Sequence, residues 1–189
     1  MRRWMALLSS LVGLAFVSST AQATTLEQFT LDDLASRADK IFRGTVLDVE
    51  QGMIEMGGGE VPAVTYRLRV EEMMKGVADV TKGDASYVEV RMVGSIKAPE
   101  RDDNFVRLSV FRDVPKLRLG SDYVLFMTPQ SSAGLSVTVG LGQGSFTIAP
   151  TAKVDYAVNE FNNLGLGLSE PGPVTYDSLK AAIYAAMGR

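Results

Sequence analysis

VTYRLRVE, residues 64–71, alternates apolar and polar side chains without a break. Successive side chains of a β-strand point to opposite faces of the sheet, so the pattern predicts one buried face and one exposed face. The buried face is formed by Val64, Tyr66, Leu68 and Val70, and the exposed face by Thr65, Arg67, Arg69 and Glu71. No helical period fits these residues, so the stretch predicts a mainly β protein.

Further segments have strand patterns of their own. Residues 41–50 predict a strand in which Gly44 marks a bend or a close crossing, because a side chain there would obstruct it. Residues 87–93 and 105–111 alternate like residues 64–71. Residues 123–127, YVLFM, are apolar throughout, which is typical of a central strand buried on both faces.

Two glycine-rich segments are interpreted as connections. Residues 51–60, with three consecutive glycines, predict a loop; they lack the Lys-Ser or Lys-Thr of a phosphate-binding loop. Residues 135–139 predict a strand that turns through residues 140–144 in a bent hairpin. The glycines of that turn are not spaced as in a dinucleotide fingerprint, and no helix follows them.

Helix signals stand near both ends of the chain. Thr30 can cap a short helix whose first turn contains Asp32 and Asp33. Thr175 can cap a C-terminal helix at about residues 175–187. The whole pattern predicts one β-barrel, or a closely related all-β sandwich, of about six or seven strands with a helix near each end.

Residues 1–23 have the pattern of a secretory signal peptide. Arg2 and Arg3 precede an apolar stretch, and small residues lead to the A-x-A pattern at residues 21–23. Cleavage there leaves residues 24–189 as a single domain and places the protein in the periplasm or outside the cell. Without the two arginines the net charge is −5 in place of −3, and no later segment is expected to span the membrane.

Composition excludes several kinds of chemistry. The sequence has no histidine and no cysteine, so it cannot form a Ser-His-Asp or Cys-His nucleophile, a disulfide, or a zinc site of the usual ligands. We predict no cofactor, no metal and no enzymatic activity. A hydrolase that uses carboxylates such as Asp102 and Asp103 remains a lesser alternative. Because the charge is acidic and no basic run occurs, nucleic acid is not an expected partner.

A family resemblance rests on three stretches: ADKIFRGTV at residues 38–46, YRLRV at residues 66–70 with Lys75-Gly76, and LGSDYVLF at residues 119–126. They resemble uncharacterised exported bacterial proteins and, distantly, the netrin-like OB barrels of tissue inhibitors of metalloproteinases. The resemblance implies an OB-like or netrin-like β-barrel. In those inhibitors an N-terminal cysteine, tethered by disulfides, chelates the protease zinc, whereas Thr24 would begin this mature chain. Protease inhibition is therefore a lesser alternative.

The leading functional hypothesis is a non-catalytic binding module of the bacterial envelope, with a protein or glycan partner. OB barrels bind on one sheet face and its loops. Arginines on a rigid sheet can pair with carboxylates or sugars, so the predicted binding residues are those on one such face: Thr65, Arg67, Arg69, Glu89 and Arg91. The alternative is a structural or self-assembling envelope subunit whose C-terminal helix docks a partner.

Overall fold

A computed structural model describes residues 27–96 and 114–189 of the chain. These residues form two helices, eight strands and one short 3₁₀-helix, in the order α1 (Leu31–Arg37), β1 (Lys40–Met56), β2 (Gly59–Lys75), β3 (Val80–Lys82), β4 (Ala85–Val93), β5 (Asp122–Met127), the 3₁₀-helix (Leu141–Gly144), β6 (Ser145–Pro150), β7 (Asp155–Asn159), β8 (Val174–Thr175) and α2 (Tyr176–Ala186). The predicted signal segment, the strand at residues 105–111 and the carboxylates Asp102 and Asp103 lie outside the described residues.

One antiparallel sheet contains all eight strands, in the order β3-β4-β2-β1-β5-β6-β7-β8. The mainly β class is therefore confirmed. The predicted count of six or seven strands was too low, because the short strands β3, β7 and β8 pair at the two ends of the sheet without a long alternating pattern. Among the described residues no pairing joins the outer strands β3 and β8, so the sheet is open at these two edges.

Strand β5 lies between the two halves of the hydrophobic core. Residues Tyr123 to Met127 are all buried, as the continuous apolar run predicts. Val124 and Phe126 pack in one apolar cluster with Leu34 of α1 and Leu179 of α2. Tyr123, Leu125 and Met127 face a second apolar cluster on the other side of the sheet, formed with the buried side chains of β1, β2 and β4.

The alternation in β2 is confirmed. Val64, Tyr66 and Leu68 are almost completely buried, whereas Arg67 and Arg69 on the opposite face are exposed. Strand β4 continues the same arrangement with Val88, Val90 and Met92 buried.

The prediction of a loop at residues 51–60 was wrong. Strands β1 and β2 continue through this region as a hairpin and pair to its end, where Met56 lies opposite Gly59. The turn consists of Gly57 and Gly58 alone, with φ of 64° and 82°. Two successive positive φ values make a tight turn whose twist matches a hairpin, and glycine adopts them without steric cost. The glycines thus shorten the connection.

Gly44 fulfils its predicted role. The register between β1 and β2 shifts between Arg43 and Gly44, so that the strand bends there. A Cβ atom at Gly44 would lie 2.7 Å from the carbonyl oxygen of Arg69 on the neighbouring strand. The backbones approach closely because this position has no side chain.

The strand and hairpin expected at residues 135–144 were wrong. This segment makes only a few backbone contacts with two strands. The Ser136 N–H donates to the Arg91 carbonyl of β4 at 2.9 Å; Thr138 forms an isolated bridge with Met127 of β5, and the Val139 N–H donates to the Phe126 carbonyl of β5 at 2.8 Å. Leu141–Gly144 then forms a 3₁₀-helix in place of a hairpin turn. The polar residues Ser136 and Thr138 are buried here, whereas Leu135 and Val137 are only partly buried, and no continuous ladder forms.

Both helices begin at the predicted caps. Thr30 and Asp33 form a capping box at α1, and the Thr175 hydroxyl accepts from the Ser178 N–H at α2. Leu179 and Ile183 of α2 are completely buried, so the apolar face of this helix packs within its own chain. No helix in residues 27–96 and 114–189 is both long enough and apolar enough to cross a bilayer.

Candidate binding site

The five predicted binding residues lie together on one face of β2 and β4. Thr65 is directly opposite Arg91, and Arg67 is opposite Glu89, so all side chains of the set point to the same side of the sheet. This surface, formed by Thr65, Arg67, Arg69, Glu89 and Arg91, is called the arginine face below.

Two guanidinium groups of the arginine face are held loosely. Arg67 Nη2 lies 3.4 Å from Asp48 Oδ2, and Arg91 Nη2 lies 3.7 Å from Glu89 Oε1. Arg91 Nε also donates to the Thr65 hydroxyl at 3.1 Å. Exposed ion pairs of this kind contribute about 0–1 kcal/mol each. An incoming carboxylate can therefore replace the present partners at little cost.

Arg69 is held more firmly. Its Nε and Nη2 both donate to Glu71 Oε1, at 3.0 and 2.8 Å, and these hydrogen bonds raise the pKa of Arg69. The Thr45 hydroxyl donates to the same oxygen at 3.3 Å. Glu71 thus links the arginine face to a second group of polar residues at the start of α2.

Arg43 is the centre of that second group. Its Nε donates to Asp122 Oδ2 at 2.8 Å and its Nη2 to Asp155 Oδ2 at 2.7 Å, while the guanidinium carbon lies 4.4 Å from the ring centroid of Tyr176. Burial works against the charged guanidinium, but the hydrogen bonds to the two carboxylates outweigh it and raise the pKa of Arg43. The side chain of Arg43 therefore joins its own strand β1 to strands β5 and β7 and to helix α2.

The sheet register explains this meeting. Arg43 of β1 pairs with Val124 of β5, and Asp122 lies two residues from Val124 on the same face. The β6–β7 hairpin brings Asp155 opposite Pro150 at the adjacent edge. Residues far apart in sequence therefore converge on the guanidinium of Arg43.

Tyr176 connects Arg43 to Glu72, near the C-terminal end of β2. Its hydroxyl donates to Glu72 Oε2 at 2.7 Å, and Lys180 Nζ donates to the same oxygen at 3.2 Å. Burial, followed by the neighbouring Glu72 carboxylate, raises the pKa of Tyr176. Burial alone would raise the pKa of Glu72, but the hydrogen bonds from Tyr176 and Lys180 lower it. Glu72 is thus held as a charged acceptor.

Asp122 is the least compensated member of the group. Its Oδ1 atom is buried and accepts no hydrogen bond from any described residue. Burial raises the pKa of Asp122, and the ion pair with Arg43 offsets this only in part. The carboxylate consequently retains an unsatisfied preference for hydrogen-bond donors.

Two open cavities flank the Arg43–Tyr176 pair. One of about 460 Å³ is lined by Arg43, Thr45, Glu71, Glu72, Asp122 and Tyr176. The other, of about 360 Å³, lies between the β6–β7 hairpin and the start of α2. Both volumes are of the size of small-ligand sites.

Sequence patterns did not reveal the second polar group, formed by Arg43 with Asp122, Asp155 and Tyr176. One signal was present: Arg43 is a charged residue within the apolar stretch Ile41-Phe42-Arg43-Gly44, and a charge beside buried strand positions usually has a partner. Its partners Asp122, Asp155 and Tyr176 are scattered over 55 residues and become neighbours only through the register.

No protein-family model matches the chain, and comparison with curated proteins finds no match.

Proposed function

We propose that the chain is a non-catalytic, exported binding module of the bacterial envelope, which holds a carboxylate-bearing partner protein on its arginine face. The observation that carries this proposal is the convergence of three arginines on one exposed, rigid sheet face. Arg67 and Arg91 have long, exposed ion pairs that a partner's carboxylates can displace. Guanidinium groups suit this role because they form bidentate bonds with carboxylates.

We also propose an OB-like, netrin-like barrel for the half of the sheet that contains β1, β2, β4 and β5. The segment at residues 135–138 supports this idea, since Ser136 bonds to β4 while Thr138 bridges to β5. We take that segment as a fifth member, which would complete a circuit of strands around the second apolar cluster. In OB barrels the face of the second and third strands binds ligands, and in this circuit those strands are β2 and β4.

The binding proposal is tested with a matched pair of triple variants. The mature chain, beginning at Thr24, is used to capture partners from the envelope fraction of its source. One variant carries Arg67→Ala, Arg69→Ala and Arg91→Ala. The control carries Lys82→Ala, Lys116→Ala and Arg118→Ala, which removes the same charge from exposed positions elsewhere.

We expect one partner to be retained by the native chain and the control, and lost by the arginine-face variant, provided that circular dichroism shows all three folded. A partner lost equally by both variants would indicate a general charge effect and refute the surface assignment. Light scattering on the native chain separates capture of a different protein from self-assembly, in which the captured species is the chain itself.

Export is tested separately. Fractionation followed by N-terminal sequencing should find the protein in the periplasm or medium with Thr24 as its first residue. A cytoplasmic protein that retains residues 1–23 would contradict the proposed location.

A further inference from the structure

The hairpin of β1 and β2 carries two neighbouring columns of opposite charge on the arginine face. Asp48 of β1 is directly opposite Arg67 of β2, and Glu50 is opposite Thr65. Opposite residues of an antiparallel pair point to the same side of the sheet, so both carboxylates belong to this face. The column on β1 is therefore acidic, and the column on β2, with Arg67 and Arg69, is basic.

The charges of this face nearly cancel. Its three guanidinium groups are accompanied by the carboxylates of Asp48, Glu50, Glu71 and Glu89, so three positive and four negative groups give a net formal charge of −1. A uniformly acidic surface would meet about as many carboxylates as guanidinium groups. A partner fits better when it carries the same two columns in exchanged positions, because each charge then meets its opposite.

Contacts within the chain leave these charges available. Arg67 Nη2 and Asp48 Oδ2 are 3.4 Å apart, and the two side chains are 57% and 41% exposed. Glu50 is exposed as well. Such an ion pair contributes about 0–1 kcal/mol, so a second molecule can take over either partner at little cost.

A two-fold axis parallel to the strands, between β1 and β2, brings the exchanged columns together. Rotation by 180° about this axis lays β1 of one copy over β2 of the other and keeps each residue at the same height along the strand. Residues that are opposite within the hairpin then meet across the interface, once in each direction, as an isologous contact requires. The register of the hairpin therefore defines the contacts of the dimer.

The polar contacts defined in this way are complementary. Arg67 meets Asp48 of the other copy, and the Thr65 hydroxyl meets Glu50. Arg91 shares a row with Thr65 and so lies one strand spacing, about 4.8 Å, from the same Glu50, within reach of its long side chain. Packed sheets lie about 10 Å apart, a distance that an extended arginine and an aspartate span together.

The distal part of the hairpin adds an apolar contact. Ile54 is opposite Val61, and both are partly exposed. Gly52 is opposite Ala63, so the small side chains of this row let two backbones approach. The same rotation sets Ile54 against Val61 and Gly52 against Ala63 of the other copy, without any like-charge pair.

We propose that the arginine face binds the same face of a second copy of this chain, in a two-fold dimer. This inference rests on the proposed function, because it takes the arginine face as the binding surface, and it names the partner's carboxylates as Asp48 and Glu50 of the other copy. Self-association and capture of a different acidic protein use the same arginines, so they exclude each other.

The test is an exchange of charge between the two columns, read by size exclusion with light scattering at low salt. The native mature chain should dimerise with a dissociation constant of about 10 μM, as suits a small and polar interface. Asp48→Lys and Arg67→Glu each place like charges at both contacts, so each variant alone should associate at least about tenfold more weakly. An equal mixture restores opposite charges at both contacts and should form dimers with one copy of each variant.

Two controls separate this effect from folding and from total charge. The double variant, Asp48→Lys with Arg67→Glu, keeps an ion pair within the chain and should dimerise as the native chain does, even if a single variant folds poorly. Glu27→Lys and Arg37→Glu exchange another exposed ion pair, near α1, with an N–O distance of 3.8 Å. These variants, alone and mixed, should also associate as the native chain does.

A native chain that stays monomeric at about 100 μM, ten times the expected dissociation constant, would overturn the inference. So would a mixture that fails to restore the dimer, or control variants that weaken it equally. The proposed function survives these results if the arginine-face triple variant still loses a different captured protein. A restored mixed dimer supports the inference whether or not another protein is captured.

Discussion

Replacement of Arg43 by methionine tests whether the polar group beneath α2 is a stabilising unit. The change keeps an apolar stem to pack against Tyr176 and removes only the guanidinium. Asp122 and Asp155 then lose their common partner, with side chains only 20% and 30% exposed. Breaking a fully buried ion pair costs about 3–5 kcal/mol, and breaking an exposed one costs about 0–1 kcal/mol. Because the Arg43 ion pairs are partly buried, the variant should have a free energy of unfolding about 2 kcal/mol lower than the native chain.

The loss should depend on pH in a defined direction. Burial raises the pKa of Asp122 in the folded state even with Arg43 present, and removal of the guanidinium raises it further. A carboxyl group with a raised folded-state pKa favours folding below its unfolded pKa, and this advantage disappears as pH rises through the folded value. Arg43→Met should therefore be markedly destabilised at about pH 7 and much less so at about pH 4, the region of unperturbed aspartate.

The assay is urea unfolding followed by circular dichroism at both pH values. The double variant Arg43→Met with Asp122→Asn removes the uncompensated charge and should recover about half of the loss at neutral pH. A loss of stability that is the same at both pH values, or a double variant no more stable than the single one, would refute the assignment of Asp122 as the least compensated carboxylate.

Three further predictions concern single positions. Gly44→Ala should cost about 1–3 kcal/mol, because its Cβ would meet the Arg69 carbonyl oxygen, whereas Gly52→Ala on the same strand, with open space around it, should change stability by less than about 0.5 kcal/mol; urea midpoints compare the two. Glu72→Gln should cost about 1 kcal/mol at neutral pH and nothing at acidic pH. The folded-state pKa of Glu72 is lowered, so the carboxylate stabilises the fold above its unfolded pKa, and this contribution is lost as pH falls through the folded pKa. Thermal melts across this range that show the same difference between variant and native chain at every pH would contradict the prediction. Asn163→Ala should cost about 2–3 kcal/mol, since the buried amide donates to two backbone carbonyls at a φ of 58°, and an unchanged melting temperature would exclude that role.

Local patterns predicted the elements whose signal is contained in a few neighbouring residues. Alternation identified β2 and β4, and an unbroken apolar run identified β5 as the strand buried on both faces. The caps at Thr30 and Thr175 marked the first residues of both helices. These signals are local because strand alternation and helix capping depend on residues at most four positions apart.

Errors arose where glycine allowed two conformations. Gly57 and Gly58 fit either a flexible loop or a two-residue turn, and only the pairing of Met56 with Gly59 selected the turn. Residues 135–144 have the alternation of a strand, but they lie between β4 and β5 where no continuous ladder forms. Pairing depends on neighbours distant in sequence, which a local pattern does not contain.

The sequence by itself determined the β class, the alternation that places Thr65, Arg67 and Arg69 on one face, and the absence of imidazole and thiol chemistry. The tertiary structure alone decided which carboxylates each arginine meets and that Arg43, Asp122, Asp155 and Tyr176 form one group. The physical reason is that alternation along a strand is set by the covalent backbone, whereas contacts between strands are set by register, which follows from the packing of the whole core.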